Sequence, residues 1–216
     1  EQGFSVNELF PVNSSGIKTH RDDFVIDMDK NALSTRIENF YSSFATSQEL
    51  KNKFTLKETE QWISSKRQAT FNSNCIRQIL YRPFDNRHIY YSADLIERGR
   101  EKVMQHFLKG ENVGLLAGRQ AITDNWSHIQ VTNRLIDNRV HYSNKGISVV
   151  FPLYLYPENT TQKLLEAPVR TPNLNPEILQ QIAEKLGLIF TPEKSGGGAL
   201  PASLNTANIE EHNNPY

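Results

Sequence analysis

Apolar residues recur at helical spacing in some stretches of this chain and at strand spacing in others, and the two kinds of stretch do not alternate regularly. This pattern limits the fold more than any other feature. Apolar residues recur at helical spacing in NALSTRIENFYSSF, which predicts an amphipathic helix. They are Leu33, Ile37, Phe40, Tyr41 and Phe44. SQELKNKF and ETEQWISSKR predict shorter helices. Parallel sheets need repeated strand–helix–strand units, which the sequence lacks. We therefore expect an α+β fold of mixed, mostly antiparallel strands with flanking helices.

Extended segments are predicted in several further stretches. GIKTHRDDFVIDMD is expected to be extended, with Phe24 and Ile26 on one side and Val25 on the other. VGLLAGRQ, WSHIQVTN and GISVVFPLYLYP predict three more strands.

Two of these strands have distinct faces. In WSHIQVTN, polar residues alternate with apolar ones, so that one face is available to solvent or a ligand. The polar residues are His128, Gln130 and Thr132. In GISVVFPLYLYP, an apolar face predicts a core strand. Its members are Ile147, Val149, Phe151, Leu153 and Leu155.

The stretch YRPFDNRHIYYS gathers cations and aromatic rings around a short turn. Residues 76–84 and 87–91 flank Asp85-Asn86, a pair that tolerates positive φ, and this predicts a β-hairpin. Pro83 has no backbone donor and is expected at an edge or a bulge. The rings of this region and one downstream are expected to pack in the core or between subdomains, and stacking platforms are the less favoured alternative. They are Tyr81, Phe84, Tyr90, Tyr91 and Trp126.

The remaining segments predict two helices and a tail. Asp94 and Glu97 have the spacing of a capping box, which predicts a helix that extends to about residue 108. Asn175 and Pro176 begin a last helix, which Gly187 ends. Residues after 192 are small and polar. We therefore expect one domain over residues 1–192 and a loose tail or linker over 193–216.

Charge is unevenly distributed although its sum is zero. Lys and Arg number 24, as do Asp and Glu, which argues against a uniformly basic protein. Residues 61–150 contain 13 Lys and Arg against 7 Asp and Glu, which leaves 11 against 17 elsewhere. A basic middle between acidic flanks favours a surface that meets a polyanion, with positive residues of 61–150 forming one concave face.

Several classes of protein are disfavoured by the sequence. The single cysteine, Cys75, excludes a disulfide scaffold and fits a reducing, cytoplasmic compartment. The sequence has no apolar run of membrane-spanning length and no visible signal peptide. A phosphate-binding glycine loop, an HExxH zinc motif and a His/Cys cluster are also missing. We predict that this chain carries no catalytic residues, no metal site and no cofactor.

Five phrases, in order, resemble the C-terminal part of Type ISP restriction–modification enzymes. They are GIKTHRDDFVID, ILYRPFDNRHIYYS, LLAGRQ, WSHIQVTNRLIDNR and GISVVFPLYLYP. Such enzymes are long bacterial chains that combine a nuclease, a helicase-like ATPase, an adenine methyltransferase and a target recognition domain. The first phrase also resembles the start of recognition domains in other adenine methyltransferases, where His20 is commonly glycine.

The resemblance implies a target recognition domain that binds double-stranded DNA and directs methylation and restriction by its parent polypeptide. Its same-chain partner would be the methyltransferase domain. S-adenosylmethionine, ATP and Mg²⁺ would belong to the missing parts of the parent.

Residues suited to DNA contact are those that can neutralise phosphate or read a base edge. The candidates are Lys18, Thr19, Arg21, Arg82, Arg87, His88, Arg119, Gln120, His128, Arg134, Arg139, Ser143 and Lys145. The loop NRLIDNRVHYSNKG is a candidate for base readout, and a plain solvated loop is the alternative. Arg82 and Arg87 could instead pair with Asp85 or Asp94 and fix the turn.

Two other functions are compatible with the sequence. A structural or protein-interaction module that bridges the methyltransferase to other domains would suit the zero net charge, and would not bind DNA even at low salt. A free-standing enzyme is the least favoured reading, because it would need a pocket of converging titratable groups.

Overall fold

The fold is known from a computed structural model, which describes residues 3–118, 129–141, 146–158 and 170–192. Seven helices lie in this part of the chain: α1 Val6–Leu9, α2 Asp22–Val25, α3 Lys30–Ser42, α4 Ser47–Lys53, α5 Glu60–Lys66, α6 Glu101–Met104 and α7 Pro176–Leu186. The strands of the same ranges are β1 Ser14–Ser15, β2 Ile26–Asp27, β3 Ile76–Arg82, β4 Asp85–Tyr90, β5 Gly114–Gly118, β6 Ile129–Thr132, β7 Leu135–Ile136, β8 Ser148–Pro152, β9 Tyr154–Leu155 and β10 Thr171–Pro172.

The described strands form two four-stranded sheets and one short pair. The first sheet has the order β1-β8-β5-β6 and is antiparallel throughout. The second has the order β2-β4-β3-β7, in which β7 alone runs parallel to its neighbour. β9 and β10 pair separately. The expected α+β class with mostly antiparallel strands is confirmed.

Helix α3 packs against β2 and β4 of the second sheet. α3 is the predicted amphipathic helix, and it buries Leu33, Ile37 and Phe40. The Phe40 ring meets the Phe24 ring edge-on at 5.1 Å between centroids. Asp29 caps the helix by accepting from the backbone N–H groups of the first turn. The helix ends at Ser42, and Phe44 beyond it is exposed.

The segment after β1 joins the two sheets. The Gly16 N–H donates to the Ser148 carbonyl at 3.1 Å, and the Ile17 N–H donates to the Ile136 carbonyl at 2.8 Å. A methyl group on Gly16 would overlap the Asp137 backbone. Only glycine therefore allows the two sheets to approach this closely.

The hairpin forms as predicted, but its turn lies two residues earlier. Arg82 pairs with Asp85, so that the loop is Pro83-Phe84, with the register shift between Leu80 and Arg82. Phe84 has φ 63° and is 91% exposed, so its expected place in the core is wrong. The left-handed conformation costs a non-glycine residue about 1–3 kcal/mol.

Two predicted elements have a different structure. GIKTHRDDFVIDMD is not extended throughout, because α2 interrupts it and buries Phe24 and Val25 together before β2 begins. The predicted capping box at Asp94 is also wrong. Residues 93–95 form a turn, and the helix starts later, at Glu101.

The buried faces of the first sheet match the expected ones only in part, because Phe151 on β8 is buried as predicted but so is its neighbour Val150. Val150 on β8 and Leu116 on β5 pair with each other and are fully buried. Ile147 is 37% exposed, and Ile129 and Val131 on β6 are 51% and 70% exposed.

On β6 polar and apolar residues alternate as predicted. The polar face, however, points inward, whereas the sequence analysis expected it to be available to solvent or a ligand. Thr132 is buried, opposite Gly114.

The C-terminal helix α7 agrees with its prediction. The Asn175 side chain accepts from the N–H groups of Glu177 and Ile178, Pro176 occupies the first turn, and Gly187 ends the helix at φ 62°. The expected tail over 193–216 lies outside the described residues. No helix in the described part of the chain is long and apolar enough to cross a membrane.

Candidate nucleic-acid interface

A cleft of about 430 Å³ opens where four segments meet. Its walls are the chain from Lys18 to Phe24, residues 54–58 after α4, the end of β3, and the turn after β7. Five cationic side chains line it: Lys18, Arg21, Lys57, Arg82 and Arg139. Four of them, with Thr19, are residues predicted from the sequence to contact DNA.

Thr19 and Asp22 hold the first wall in place. The Thr19 hydroxyl donates to one carboxylate oxygen of Asp22, and the Tyr81 hydroxyl donates to the other at 3.0 Å. Burial raises the pKa of Tyr81 to about 12, and the Asp22 carboxylate adds to the shift. Because Thr19 is 1% exposed, its hydroxyl fixes the loop and is not available to a ligand.

Arg21 is enclosed by its neighbours. Its Nε lies 2.6 Å from a Glu58 carboxylate oxygen, and both side chains are 10% exposed. Its Nη1 donates to the backbone carbonyls of Thr19 and Leu95 at 3.1 and 2.6 Å. The guanidinium also lies 4.4 Å from the Trp62 ring centroid. Arg21 therefore ties α5 and the turn before α6 to the cleft wall.

In YRPFDNRHIYYS, two arginines and one tyrosine ring form a cation–π cluster at the hairpin. The guanidinium carbons of Arg82 and Arg87 lie 3.8 and 4.2 Å from the Tyr81 ring centroid. Arg87 donates to Asp85 through Nε at 3.0 Å and Nη2 at 2.8 Å, and this bond raises the pKa of the guanidinium. The expected pairing of Arg87 with Asp85 is confirmed.

Asp137 is a buried carboxylate at the base of the cleft. It accepts from Arg82 Nη1 at 2.9 Å and from the Arg139 backbone N–H at 2.8 Å. Its side chain is 4% exposed, and burial raises its pKa to about 6 in spite of these two donors. Arg82 therefore balances a charge that the fold has taken out of water.

The raised pKa of Asp137 predicts a pH dependence of stability. Its ordinary value is 3.8, so the folded protein holds this proton more tightly than the unfolded chain. The contribution of Asp137 to the free energy of unfolding therefore declines as pH rises from about 4 to 6. We expect Asp137→Asn to lack this decline. Urea unfolding of both proteins at several pH values tests it, and parallel curves would contradict it.

Two further predicted residues lie away from the cleft. His88 Nδ1 is 3.2 Å from the Met28 carbonyl oxygen, and Arg134 Nε donates to Gln78 Oε1 at 2.9 Å. Gln78 and His88 are cross-strand partners on the second sheet. The remaining five candidates lie outside the described residues. They are Arg119, Gln120, His128, Ser143 and Lys145.

Comparison with known proteins identifies the family. The family model of the Type ISP C-terminal specificity domain matches residues 8–195. The chain belongs to this family. No curated protein matches the specificity domain significantly.

Solved structures resemble the specificity domain in fold. A DrdV–DNA complex determined by cryo-EM superposes with a TM-score of 0.60 and 19% identity, over 87% of this chain and 19% of that chain. LlaBIII, an ATP-dependent Type ISP restriction–modification enzyme bound to DNA, superposes with a TM-score of 0.61 and 20% identity, over 84% of this chain and 12% of that chain. A nuclease-deletion mutant of the Type ISP enzyme LlaGI with a DNA substrate mimic superposes with a TM-score of 0.55 and 18% identity, over 80% of this chain and 17% of that chain. The specificity domain therefore spans less than a fifth of these chains.

The described cations that line the cleft differ from the expected set. Three of the five in the cleft precede residue 61, whereas the sequence analysis placed the positive face within 61–150. Carboxylates from Asp22, Asp23, Glu58 and Asp137 line the same cleft. The cleft is thus a region of mixed charge, in which the arginines with close carboxylate partners are structural and the exposed cations lie at its rim.

Sequence reasoning missed two features of the cleft. Lys57 is exposed at its rim but belongs to no recognisable motif. His20 and Thr55 stand on its walls with φ 68° and 52°. Only His20 carried a signal, because the resemblance noted in the sequence places it where glycine is common, and its backbone has the conformation that glycine adopts most easily.

The base-readout loop is only partly described. Asn138 and Arg139 follow β7 and line the cleft. His141, another residue of the predicted loop, is buried at 6% exposure, and its backbone N–H donates to the Ser148 hydroxyl. His141 is therefore part of the packing between the loop and β8. Among the described residues, no group of three His, Cys, Asp or Glu side chains could hold a metal ion.

Proposed function

We propose that this specificity domain binds duplex DNA and selects the sequence at which its parent polypeptide methylates and cleaves. Membership of the Type ISP specificity family supports this proposal. The observation that carries it is the cleft, where a fixed frame of paired arginines holds exposed cations at the rim. DNA binding needs cations that neutralise phosphates and thereby release the counterions condensed on the DNA, and exposed side chains do so at the least cost.

The proposal divides the cleft residues by accessibility. Lys57 and Arg139 are exposed and suited to phosphate, and Lys18 is 40% exposed beside Glu97. Asn138 has the amide geometry that pairs with adenine, and it lies next to Arg139. Arg21 and Thr19 support the wall from behind. Base readout is thus assigned to Asn138, and phosphate positioning to Lys18, Lys57 and Arg139.

The wider assignments are proposals of the same kind. The recognition domain would occupy residues 1–192, with 193–216 as a loose tail or linker, and the methyltransferase of the same polypeptide would be its neighbour. S-adenosylmethionine, ATP and Mg²⁺ would serve the methyltransferase, motor and nuclease of the parent. Three of the four described cleft carboxylates, those of Asp22, Glu58 and Asp137, are paired with arginine, tyrosine or threonine, which disfavours a metal there. A cytoplasmic location is proposed with the rest.

Selection of sites from a random duplex library by the parent enzyme tests the assignment of phosphate contacts. Lys57→Ala should weaken binding to every sequence alike and reduce the slope of log affinity against log salt by about 1. Lys102→Ala is the matched control, because Lys102 is exposed on α6 and does not line the cleft. Equal losses in both variants would contradict a phosphate contact at Lys57.

The same selection tests the assignment of base readout. Asn138→Ala should relax the preference at one position of the site by about 1–3 kcal/mol and leave the other positions unchanged. If Asn138→Ala lowers the affinity for all sequences equally, Asn138 contacts the DNA backbone and not a base. A parent enzyme that selects the same sequence with the same affinity after both substitutions would favour a bridging module that takes no part in recognition.

A further inference from the structure

We propose that Phe84 is a wedge that inserts into the base stack of the bound DNA. This inference rests on the proposed function and goes beyond it, because it assigns a role to a side chain outside the cleft. Insertion of an apolar side chain between base pairs is a known way for proteins to unstack and bend a duplex.

The first observation is the chemistry of the hairpin turn. Pro83 and Phe84 form the two-residue loop between Arg82 and Asp85, and Phe84 has φ 63°. Proline followed by a positive φ is the arrangement of a type II turn, in which the second of these positions favours glycine or asparagine. Phenylalanine at this position is strained, and a smaller residue would fold more easily.

The second observation is that packing does not compensate this strain. The Phe84 side chain is 91% exposed. Exposure of a whole aromatic ring at a strained position stabilises nothing within the described fold. Strained residues of this kind concentrate at functional sites, where the surrounding structure holds them in place.

The third observation is the rigidity of the base beneath the tip. The guanidinium groups of Arg82 and Arg87 both lie against the Tyr81 ring, and Asp85 binds Arg87 on the strand beside the turn. Arg82 is anchored to the buried Asp137. A side chain that inserts between base pairs needs a rigid support, and this cation–π cluster pre-organises the hairpin for insertion.

The surroundings of the tip favour DNA over a protein surface. Pro83 and Asn86 beside it are exposed, and Tyr81 and Arg82 also line the cleft proposed to meet DNA. A lone ring flanked by polar groups and cations is typical of DNA wedges, whereas protein interfaces bury contiguous apolar area. Adenine methyltransferases also remove their target base from the stack, which leaves a gap that a ring can fill.

Fluorescence of 2-aminopurine tests the wedge in the parent enzyme. The probe is a duplex that carries the sequence selected by the parent, with 2-aminopurine moved through its positions. Unstacking beside Phe84 should raise the emission several-fold at one step. Phe84→Gly should abolish this rise and weaken binding at least tenfold, while folding stability stays equal or increases. Phe84→Leu should keep most of both signals.

Three outcomes would separate the competing explanations. If Phe84→Gly keeps the emission and affinity of the original enzyme while Lys57→Ala weakens binding, the wedge is wrong and the proposed function stands. If the parent shows no sequence-selective binding, the proposed function itself fails. If Phe84→Gly and Met28→Ala both loosen the contact between the specificity domain and the rest of the parent, measured by limited proteolysis without DNA, Phe84 is a protein contact and the wedge is overturned. Met28 follows β2, which pairs with β4, and it is 70% exposed.

Discussion

Arg21→Ala is expected to lower the free energy of unfolding by about 3–5 kcal/mol. The substitution leaves the Glu58 carboxylate, which is 10% exposed, without its cation. It also removes the donor to the Thr19 and Leu95 carbonyls and the guanidinium over Trp62. The Glu58 carboxylate and the two carbonyls are then left as unpaired polar groups in a place that water cannot easily reach.

Urea unfolding of the variant measures this effect, and Lys57→Ala is its control. Lys57 is exposed on the same wall of the cleft and makes no hydrogen bond among the described contacts, so its removal should change stability by less than about 0.5 kcal/mol. If Arg21 is instead a DNA phosphate contact, as the sequence suggested, Arg21→Ala will unfold at the original urea concentration and lose DNA affinity.

Gly16→Ala is expected to cost about 3 kcal/mol, at the upper end of the range for overpacked sites. The added methyl group meets the backbone of Asp137 and Asn138 rather than a flexible side chain, so neither neighbour can turn away. The two sheets would have to separate along this segment, and the cleft that lies above it would widen.

The control for Gly16→Ala is the same change at Gly3, where an added methyl group meets no atom within 4 Å. Thermal unfolding of both variants measures the difference. We expect the first to unfold well below the original protein and the second to unfold with it. Equal midpoints for the two variants would show that the junction of the sheets is looser than the structure indicates.

The elements with strong local signals could be predicted from the sequence. α3 has three core residues at helical spacing, and α7 has Asn, Pro and Gly at the positions where helices begin and end. The hairpin was predictable from two strand-like runs, but its turn was not. Asp85-Asn86 is the better turn by local preference, and the pairing of Arg87 with Asp85 instead keeps both residues in β4.

The faces of the strands in the first sheet could not be predicted, because alternation fixes which residues share a face but not which face meets the core. On β8 both faces are largely apolar. Val150 is fully buried against β5, while the Phe10 ring covers Phe151 on the other face at 5.8 Å. The inward direction depends on these distant contacts.

The sequence predicted several residues of the candidate site, but not which of them would be structural and which would be exposed to DNA. Lys18, Arg21, Arg82 and Arg139 do meet in one cleft. Sequence cannot show that Glu58 pairs with Arg21, since 37 residues separate them, or that Asp137 pairs with Arg82 across 55. These partners decide which cations are structural and which remain exposed for DNA.

Exchange of the specificity domain between two Type ISP parents tests the central claim most directly. Residues 8–195 of this chain would replace the corresponding segment of a parent that methylates a different sequence, and methylated adenines would be mapped across a genome. We predict that the hybrid methylates the sequence of the enzyme from which the domain came. A hybrid that is active and still methylates the sequence of its own methyltransferase would contradict the account.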